Sequence, residues 1–171
     1  NEDFNFLLDP WLVGDLYEGA WSPVVKFDNL DFLKDVDAVF ISHIHEDHWD
    51  MKTIQILKRD IQIYIPNMLV NKLIKKRLED KGFKNIKFVN FEEVFNVGKH
   101  FECRIIPPLN SFGQELGNYL EGYEIDATNI DTGLMIKDQK SKTNHIFLFD
   151  NTPYHLLNLK KFLVCLLYTS P

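Results

Sequence analysis

The stretch Val36–Asp50 constrains the fold more than any other, because an apolar run passes directly into a cluster of histidines. The run Val36–Ile41 is too short for a typical helix and rich in β-branched and aromatic residues, which predicts a strand buried on both faces. His43 and His45 follow this strand two positions apart, so an extended backbone places both imidazoles on the same side. The sequence therefore predicts two histidines that project from the end of a central strand.

Asp47 and His48 complete the cluster, in a short connection before a predicted helical segment over residues 51–57. Three imidazoles and one carboxylate between positions 43 and 48 form a ligand set that suits zinc or a similar borderline metal. A single histidine is more often a surface residue or a hydrogen-bonded core residue. The joint pattern is different, because ordinary composition produces His-x-His-x-Asp-His by chance in about one chain of this size in ten thousand. We therefore expect a metal site at this turn.

The His-x-His-x-Asp-His pattern of residues 43–48, placed after an apolar strand, resembles the signature of the metallo-β-lactamase superfamily. Two further stretches narrow the resemblance: residues 9–12, which read Asp-Pro-Trp-Leu, and residues 37–43. They are similar to the branch that contains ascorbate-6-phosphate lactonases, N-acylphosphatidylethanolamine phospholipase D enzymes and the metallohydrolase-like part of CMP-N-acetylneuraminate hydroxylases. The resemblance covers residues 4–154.

The resemblance implies an α/β fold, the αββα sandwich of the metallo-β-lactamase superfamily, as a C-terminally truncated fragment that largely lacks the second half. One partial domain is expected over residues 4–163, since the chain has no linker, repeat or low-complexity tract. Residues 164–171 are expected to be a non-native tail, because they resemble translated sequencing adapter. A helix end is the alternative, since leucines at 156, 159 and 163 keep helical spacing.

Hydrophobic periodicity predicts the elements of this sandwich. Strands are expected at residues 4–8, 36–41, 61–65, 87–91, 93–97, 101–106, 130–136 and 146–149. Asn67 is the expected N-cap of a helix that ends at Gly82. The apolar face of this helix is expected to consist of Leu69, Val70, Leu73, Ile74 and Leu78.

The resemblance also implies which residues hold the metal. His43 and His45 would bind one ion, and Asp47 and His48 would face a second. Asp150, which follows an apolar strand, is expected to bridge the two ions, although it could instead cap the next turn.

The chain departs from the family at the third histidine of the first ion. Residues 108–128 contain no histidine, and oxygen ligands in its place would weaken and alter that site. Spacing does not choose among four polar candidates, which are Asn110, Asp126, Asn129 and Asp131. One or two zinc ions are therefore both consistent with the sequence.

The implied activity is metal-dependent hydrolysis of an ester, a lactone or a phosphodiester on a small sugar- or lipid-type substrate. A metal-bound hydroxide would be the nucleophile, and Asp47 would be the catalytic residue that orients it and carries its proton to the leaving group. The superfamily's di-iron reductases carry Glu at the position of His45, so this chain favours zinc hydrolysis over redox chemistry.

Two alternatives stay open. The chain could be the metallohydrolase-like part of a neuraminate-hydroxylase-type oxygenase, which would need a Rieske centre with Cys-x-His and Cys-x-x-His elements that these residues do not contain. It could also be a non-catalytic metal-binding module, since the third histidine is replaced.

Composition limits the partners. The formal net charge is 19 − 25 = −6, so no basic surface for nucleic acid is expected, and no apolar run is long enough to cross a bilayer. Cys103 and Cys165 lack redox or metal spacing, which favours the cytoplasm, although a chain without an initial Met leaves a signal peptide open. The partner is expected to be a small molecule. Trp11, Tyr17 and Trp21 either line its pocket or, more commonly for aromatic residues, cover a core.

Overall fold

The structure, a computed structural model, describes residues 4–91, 93–108 and 130–151. Its regular elements, in chain order, are β1 (Phe6–Leu8), β2 (Ala38–Phe40), α1 (Met51–Ile54), β3 (Gln62–Pro66), α2 (Lys72–Asp80), β4 (Ile86–Val89), β5 (Val94–Val97), β6 (Phe101–Ile106), β7 (Gly133–Asp138) and β8 (Thr143–Phe147). Three 3-10 turns, Tyr17–Gly19, Asp31–Asp35 and Glu46–His48, lie in the connections.

The first four strands form a parallel sheet in the order β1-β2-β3-β4. Val39 and Ile41 lie on the face that packs against α1 and α2, in a cluster with Ile54, Ile74 and Leu78. All three residues of β2 are buried, which confirms the prediction of a strand covered on both faces. The carboxyl ends of β1 and β2 therefore open at the same edge of the sheet.

The last four strands form an antiparallel sheet in the order β5-β6-β7-β8. Its inner face packs on the other side of the parallel sheet, where Phe40 and Tyr64 meet Phe95, Ile105 and Leu134. Two sheets with helices on the outer face of the parallel one make a mixed α/β sandwich. The expected fold class is thus confirmed for the part of the chain that the structure describes.

The β7–β8 hairpin is shifted relative to the predicted strands, which were expected at residues 130–136 and 146–149. Leu134 pairs with Phe147, and the two strands are joined by a turn at residues 139–142. Asp131 lies three positions before Leu134 and Asp150 lies three positions after Phe147. Because the strands are antiparallel, the two aspartates reach the same end of the hairpin.

The predicted start of α2 was wrong. The helix begins at Lys72, because residues 68–73 form turns with i to i+3 hydrogen bonds, and the buried Asn71 side chain donates to the Pro66 carbonyl (3.1 Å). Asn67 caps nothing here and donates instead to Asn90 Oδ1 at 2.7 Å. Met68 is buried, whereas the predicted face residues Leu69 and Leu73 are exposed. The end at Gly82 agrees with the prediction, since Gly82 has φ +88° just after the helix.

Among the described residues, no helix combines the length and the apolar character that a membrane span requires.

Candidate metal centre

The centre is built where the carboxyl ends of β1 and β2 meet the end of the β7–β8 hairpin. Asp9 follows β1, and its backbone N–H donates to the Phe40 carbonyl at 3.0 Å. The motif turn follows β2, and the Thr132 hydroxyl donates to the Ser42 carbonyl at 2.8 Å. Two sheets thus bring residues from three separate stretches of chain to one place.

Hydrogen bonds from neighbouring residues hold the turn that carries the histidines in place. The buried Trp49 donates its indole N–H to the Ile44 carbonyl at 2.6 Å. Asp50 caps α1 by accepting hydrogen bonds from the backbone N–H groups of Lys52 and Thr53. The backbone N–H of Asp50 donates to the Pro10 carbonyl at 3.2 Å, which ties this turn to the segment after β1.

The first ligand group contains His43, His45, Asp131 and Asp150, whose ligand atoms all lie within 4.8 Å of one another. His43 Nε2 lies 2.8 Å from His45 Nδ1, 3.6 Å from Asp131 Oδ1 and 3.8 Å from Asp150 Oδ2. Asp131 is therefore the one of the four candidates for the place of the missing histidine that the structure brings to this group. The other three candidates for that place, Asn110, Asp126 and Asn129, lie outside the described residues.

The second ligand group contains Asp47, His48 and Asp150, again with all ligand atoms within 4.8 Å. His48 Nε2 lies 3.3 Å from Asp47 Oδ2 and 3.2 Å from Asp150 Oδ2. Asp150 belongs to both groups, which is the arrangement that a carboxylate shared by two ions requires. The five predicted ligands are therefore brought together, and their binding of metal stays a prediction.

Asp9 belongs to neither ligand group, but its hydrogen bonds orient residues of both. It accepts hydrogen bonds from the Ser42 backbone N–H (2.7 Å), from the Ser42 hydroxyl (2.5 Å) and from His48 Nδ1 (2.7 Å). Because Ser42 Oγ donates to Asp9, it accepts from His43 Nδ1, which lies 2.9 Å away. Protons on both Nδ1 atoms leave the Nε2 lone pairs of His43 and His48 facing the ligand groups. In the sequence, Asp9 contributes only to the family resemblance, and neither this role nor that of Ser42 was predicted.

Electrostatics distinguish the two buried histidines. Burial, with the neighbouring His48 and His45, lowers the pKa of His43 to about 3, so this imidazole is neutral at physiological pH. Burial also opposes protonation of His48, but its hydrogen bond to Asp9 and the charges of Asp9, Asp150 and Asp47 outweigh it and raise the pKa of His48. Burial likewise raises the pKa of Asp9 against the opposing effect of its hydrogen bonds from His48 and Ser42.

Two of the three loop aromatic residues, Tyr17 and Trp21, do not cover a core, so the more common role of such residues is wrong for them. Tyr17 and Trp21 are 40% and 52% exposed, and their rings contact each other edge to face at 5.2 Å. The Tyr17 hydroxyl donates to Asp47 Oδ1 at 2.7 Å. Partial burial and the nearby Asp47 raise the pKa of Tyr17 to about 12, so the phenol keeps its proton. Trp11 is half-buried, and its indole N–H donates to the Gly14 carbonyl.

The remaining histidines lie away from the centre or outside the description. His145 lies in the middle of β8, exposed and 2.9 Å from the Thr143 hydroxyl. His100 lies in the turn before β6. His155 and the suspected tail at 164–171 are outside the described residues.

The surroundings of His48 Nε2 indicate whether the described residues suit a metal ion. His48 Nε2 is buried and makes no hydrogen bond among the described residues, although two carboxylate oxygens lie within 3.3 Å of it. An imidazole lone pair and two carboxylate oxygens repel one another unless a proton or a cation lies between them. Nitrogen and oxygen donors in this combination fit a divalent ion of the zinc type.

A family model described as "Beta-lactamase superfamily domain" matches residues 4–146 of the chain. Cytidine monophosphate-N-acetylneuraminic acid hydroxylase of Danio rerio is 34% identical over 107 residues, which are 58% of this chain and 18% of that protein. UPF0173 protein YddR of Bacillus subtilis is 30% identical over 103 residues, 53% of this chain and 38% of that protein. The chain thus spans well under half of these relatives.

Among solved structures, the chain is similar to a possible metal-dependent hydrolase from Veillonella parvula DSM 2008. The TM-score is 0.68 at 19% sequence identity, and the match covers 96% of this chain and 62% of that one. At this identity the similarity concerns the fold alone, and it agrees with the arrangement of the two sheets described above.

Proposed function

Because this chain belongs to the metallo-β-lactamase superfamily, we propose that it is a hydrolase that works with one or two divalent ions, expected to be zinc. The proposed substrates are esters, lactones or phosphodiesters on a small sugar- or lipid-type molecule. One observation carries the proposal: the buried Nε2 of His48 faces two carboxylates and makes no hydrogen bond with any described residue.

The first ion would be held by His43, His45 and Asp131, the second by Asp47 and His48, and Asp150 would touch both. When bound, divalent ions of this kind lower the pKa of water towards neutrality and offset negative charge that develops on a reacting carbonyl or phosphoryl oxygen. The chain's own contribution is to fix the donors, since the hydrogen bonds of Asp9 and Ser42 hold the Nε2 atoms of His43 and His48 towards the ions.

Asp47 is the proposed catalytic residue. Its side chain is a member of the second ligand group and is about one-sixth exposed, so it can contact both an ion and a molecule that arrives from solvent. Its role would be to orient the nucleophile and to pass the proton to the leaving group. Asp150 is half exposed and His45 is exposed, which supports an approach of substrate from that side of the cluster.

The second candidate function is the metallohydrolase-like part of a larger oxygenase. The similarity to the Danio rerio hydroxylase motivates this alternative, which ranks behind the hydrolase proposal. A non-catalytic metal-binding module is the third candidate, and Asp131 in place of a histidine motivates it.

Metal analysis and activity together test the proposal. The protein as it exists should bind one to two zinc, manganese or iron ions per chain, and it should hydrolyse generic ester or phosphodiester substrates. The variants His43→Ala and His48→Ala should lose both properties, whereas the control His145→Ala should keep them, because His145 lies exposed in β8. Only traces of metal in the wild-type protein, or unchanged activity in the two site variants, would contradict the proposal. Stoichiometric metal without any hydrolysis would favour the binding module.

A further inference from the structure

The loop between β1 and β2 brings the Tyr17 side chain to the candidate metal centre. Leu16 and Trp21 form a two-residue bridge, with hydrogen bonds of 2.9 and 3.3 Å between their backbones, and Leu16 is buried. The turn that this bridge closes contains Tyr17 and Glu18, both with left-handed backbones at φ 49° and 57°. Residues other than glycine adopt this conformation at a cost in free energy, and such residues are concentrated at functional sites.

The contacts of Tyr17 indicate what this turn achieves. The ring lies edge to face against Trp21 at 5.2 Å, and the hydroxyl reaches Asp47 Oδ1 at 2.7 Å. The other carboxylate oxygen, Asp47 Oδ2, lies 3.3 Å from His48 Nε2, and both residues are members of the second ligand group. The two oxygens of Asp47 thus have different neighbours, a phenol on one side and the candidate ion site on the other.

We infer that Tyr17 is a positioning residue, which holds Asp47 so that only Oδ2 is presented to the second ion. The inference rests on the proposed function, since it assigns a purpose to a contact with a proposed ligand. A carboxylate without this partner could rotate and present both oxygens, or turn towards solvent. Hydrogen bonds to ligating carboxylates orient them, and loss of such a partner typically weakens metal binding by about 10- to 100-fold.

A purely structural role for Tyr17 is less consistent with its surroundings. The ring is 40% exposed and packs on Trp21, which is itself 52% exposed, so little apolar surface would be lost in a truncated variant. The hydroxyl contact, in contrast, connects residues 30 positions apart in the chain. We therefore expect removal of the hydroxyl to affect the metal more than the stability of the fold.

Tyr17→Phe tests the inference, because phenylalanine keeps the ring and its contact with Trp21. Co²⁺ titration followed by visible absorbance, and Zn²⁺ titration against a competing chelator, report the two binding steps separately. The second ion should bind about 10-fold more weakly in Tyr17→Phe, with a changed Co²⁺ spectrum, while the first step stays the same. The thermal midpoint in EDTA should match that of the wild type, which verifies that the variant is folded.

Tyr64→Phe is the matched control. Its hydroxyl also donates one hydrogen bond, to the Asn96 carbonyl at 3.4 Å, but it lies in the core between the two sheets. This variant should leave both metal affinities unchanged. In an Asp47→Asn background, Tyr17→Phe should change metal affinity by less than twofold, because a residue that acts through Asp47 has nothing left to position.

The outcomes separate the two proposals. If the wild type binds two ions and Tyr17→Phe binds both as tightly, the role of Tyr17 is refuted and the hydrolase proposal stands. An equal loss in the wild-type and Asp47→Asn backgrounds also refutes it, since Tyr17 would then act by another route. If the wild type binds no ion, the proposed function fails, and the inference falls with it.

Discussion

Replacement of Asp9 by asparagine is expected to weaken metal binding through His48, although Asp9 lies outside the proposed ligand set. The carboxylate accepts three hydrogen bonds, one at Oδ1 from the Ser42 backbone and two at Oδ2 from the Ser42 hydroxyl and His48 Nδ1. An amide has one acceptor oxygen and one donor NH₂ group. In either orientation of the new amide, its NH₂ group would point at an existing donor, and the wild-type pattern cannot be kept.

The least costly rearrangement is a change of tautomer at His48. If the new NH₂ group donates to Nδ1, the His48 proton moves to Nε2, which lies 3.2 Å from Asp150 and 3.3 Å from Asp47. A protonated Nε2 cannot bind a metal ion. Outer partners of this kind are worth about 10- to 100-fold in metal affinity, or about 1.4 to 2.8 kcal/mol at 1.4 kcal/mol per factor of ten.

Competition with a chelator measures the affinity, and nitrogen NMR of the His48 ring reports which nitrogen carries the proton. Asp138→Asn is a suitable control, because it removes the same charge from the β7–β8 turn, where Asp138 accepts from Ser141 and Lys140. Unfolding in EDTA separates loss of metal from loss of fold. An Asp9→Asn protein with affinity within twofold of the wild type, or with Nε2 still unprotonated, would refute the reasoning.

Three further outcomes follow from the same geometry. Asp150→Ala removes the carboxylate common to both ligand groups, so metal content measured by mass spectrometry should fall for both ions together, and retention of one full ion would contradict a shared ligand. Burial raises the pKa of the Cys103 thiol to about 12, so at pH 8 peptide mapping should find Cys103 alkylated only after unfolding in urea. In the metal-free protein, the unfolded chain protonates His43 near pH 6.5 while the folded protein does not until about pH 3, so stability should fall as the pH drops through this window. Between pH 6.5 and 5 the wild type should lose about 1.6 kcal/mol more than His43→Gln in urea titrations, and an equal loss in the two proteins would disprove the assignment.

The local sequence pattern was sufficient to predict the part of the candidate metal centre that is contiguous in sequence. An apolar run followed by polar residues predicts a buried strand and its exit, so the strand β2 and the turn with His43 and His45 could be placed in advance. The superfamily resemblance was confirmed by the family match over residues 4–146. Strand β6 has the predicted bounds, because its alternation is long and uninterrupted.

Sequence spacing could not choose among the four candidates for the place of the missing histidine, because the position of Asp131 depends on hairpin register. Periodicity set the two strands several residues away from their true bounds, and a shift of register moves every side chain along the sheet. The pairing of Leu134 with Phe147 places Asp131 and Asp150 each three positions beyond the paired residues, so that they lie opposite each other at the end of the hairpin. Asp131 is visible in the sequence, but hydrophobic spacing does not show which residues of the two strands pair.

Asp9 and Tyr17 were missed for a related reason. They reach His48 and Asp47 across 39 and 30 positions of chain, and no local pattern reports contacts at that separation. The parallel pairing of β1 with β2 offered one usable signal, since a polar residue directly after β1 must lie beside the motif turn. The start of α2 was misplaced because the buried Asn71 side chain donates to the Pro66 carbonyl in the turns that precede the helix. Of the predicted apolar face, Ile74 and Leu78 are buried, whereas Leu69 and Leu73 are exposed.

The end of the β7–β8 hairpin lies beside the turn that carries the histidines, and this proximity has a mechanical consequence. His43, His45 and His48 are carried by the parallel sheet, whereas Asp131 and Asp150 extend from the antiparallel one. An ion bound by both the histidines and the aspartates would connect the two sheets at this edge, in addition to the Thr132–Ser42 hydrogen bond there. Chelation should then loosen the β7–β8 hairpin first, and amide exchange in that hairpin would rise before the strands of the parallel sheet begin to open.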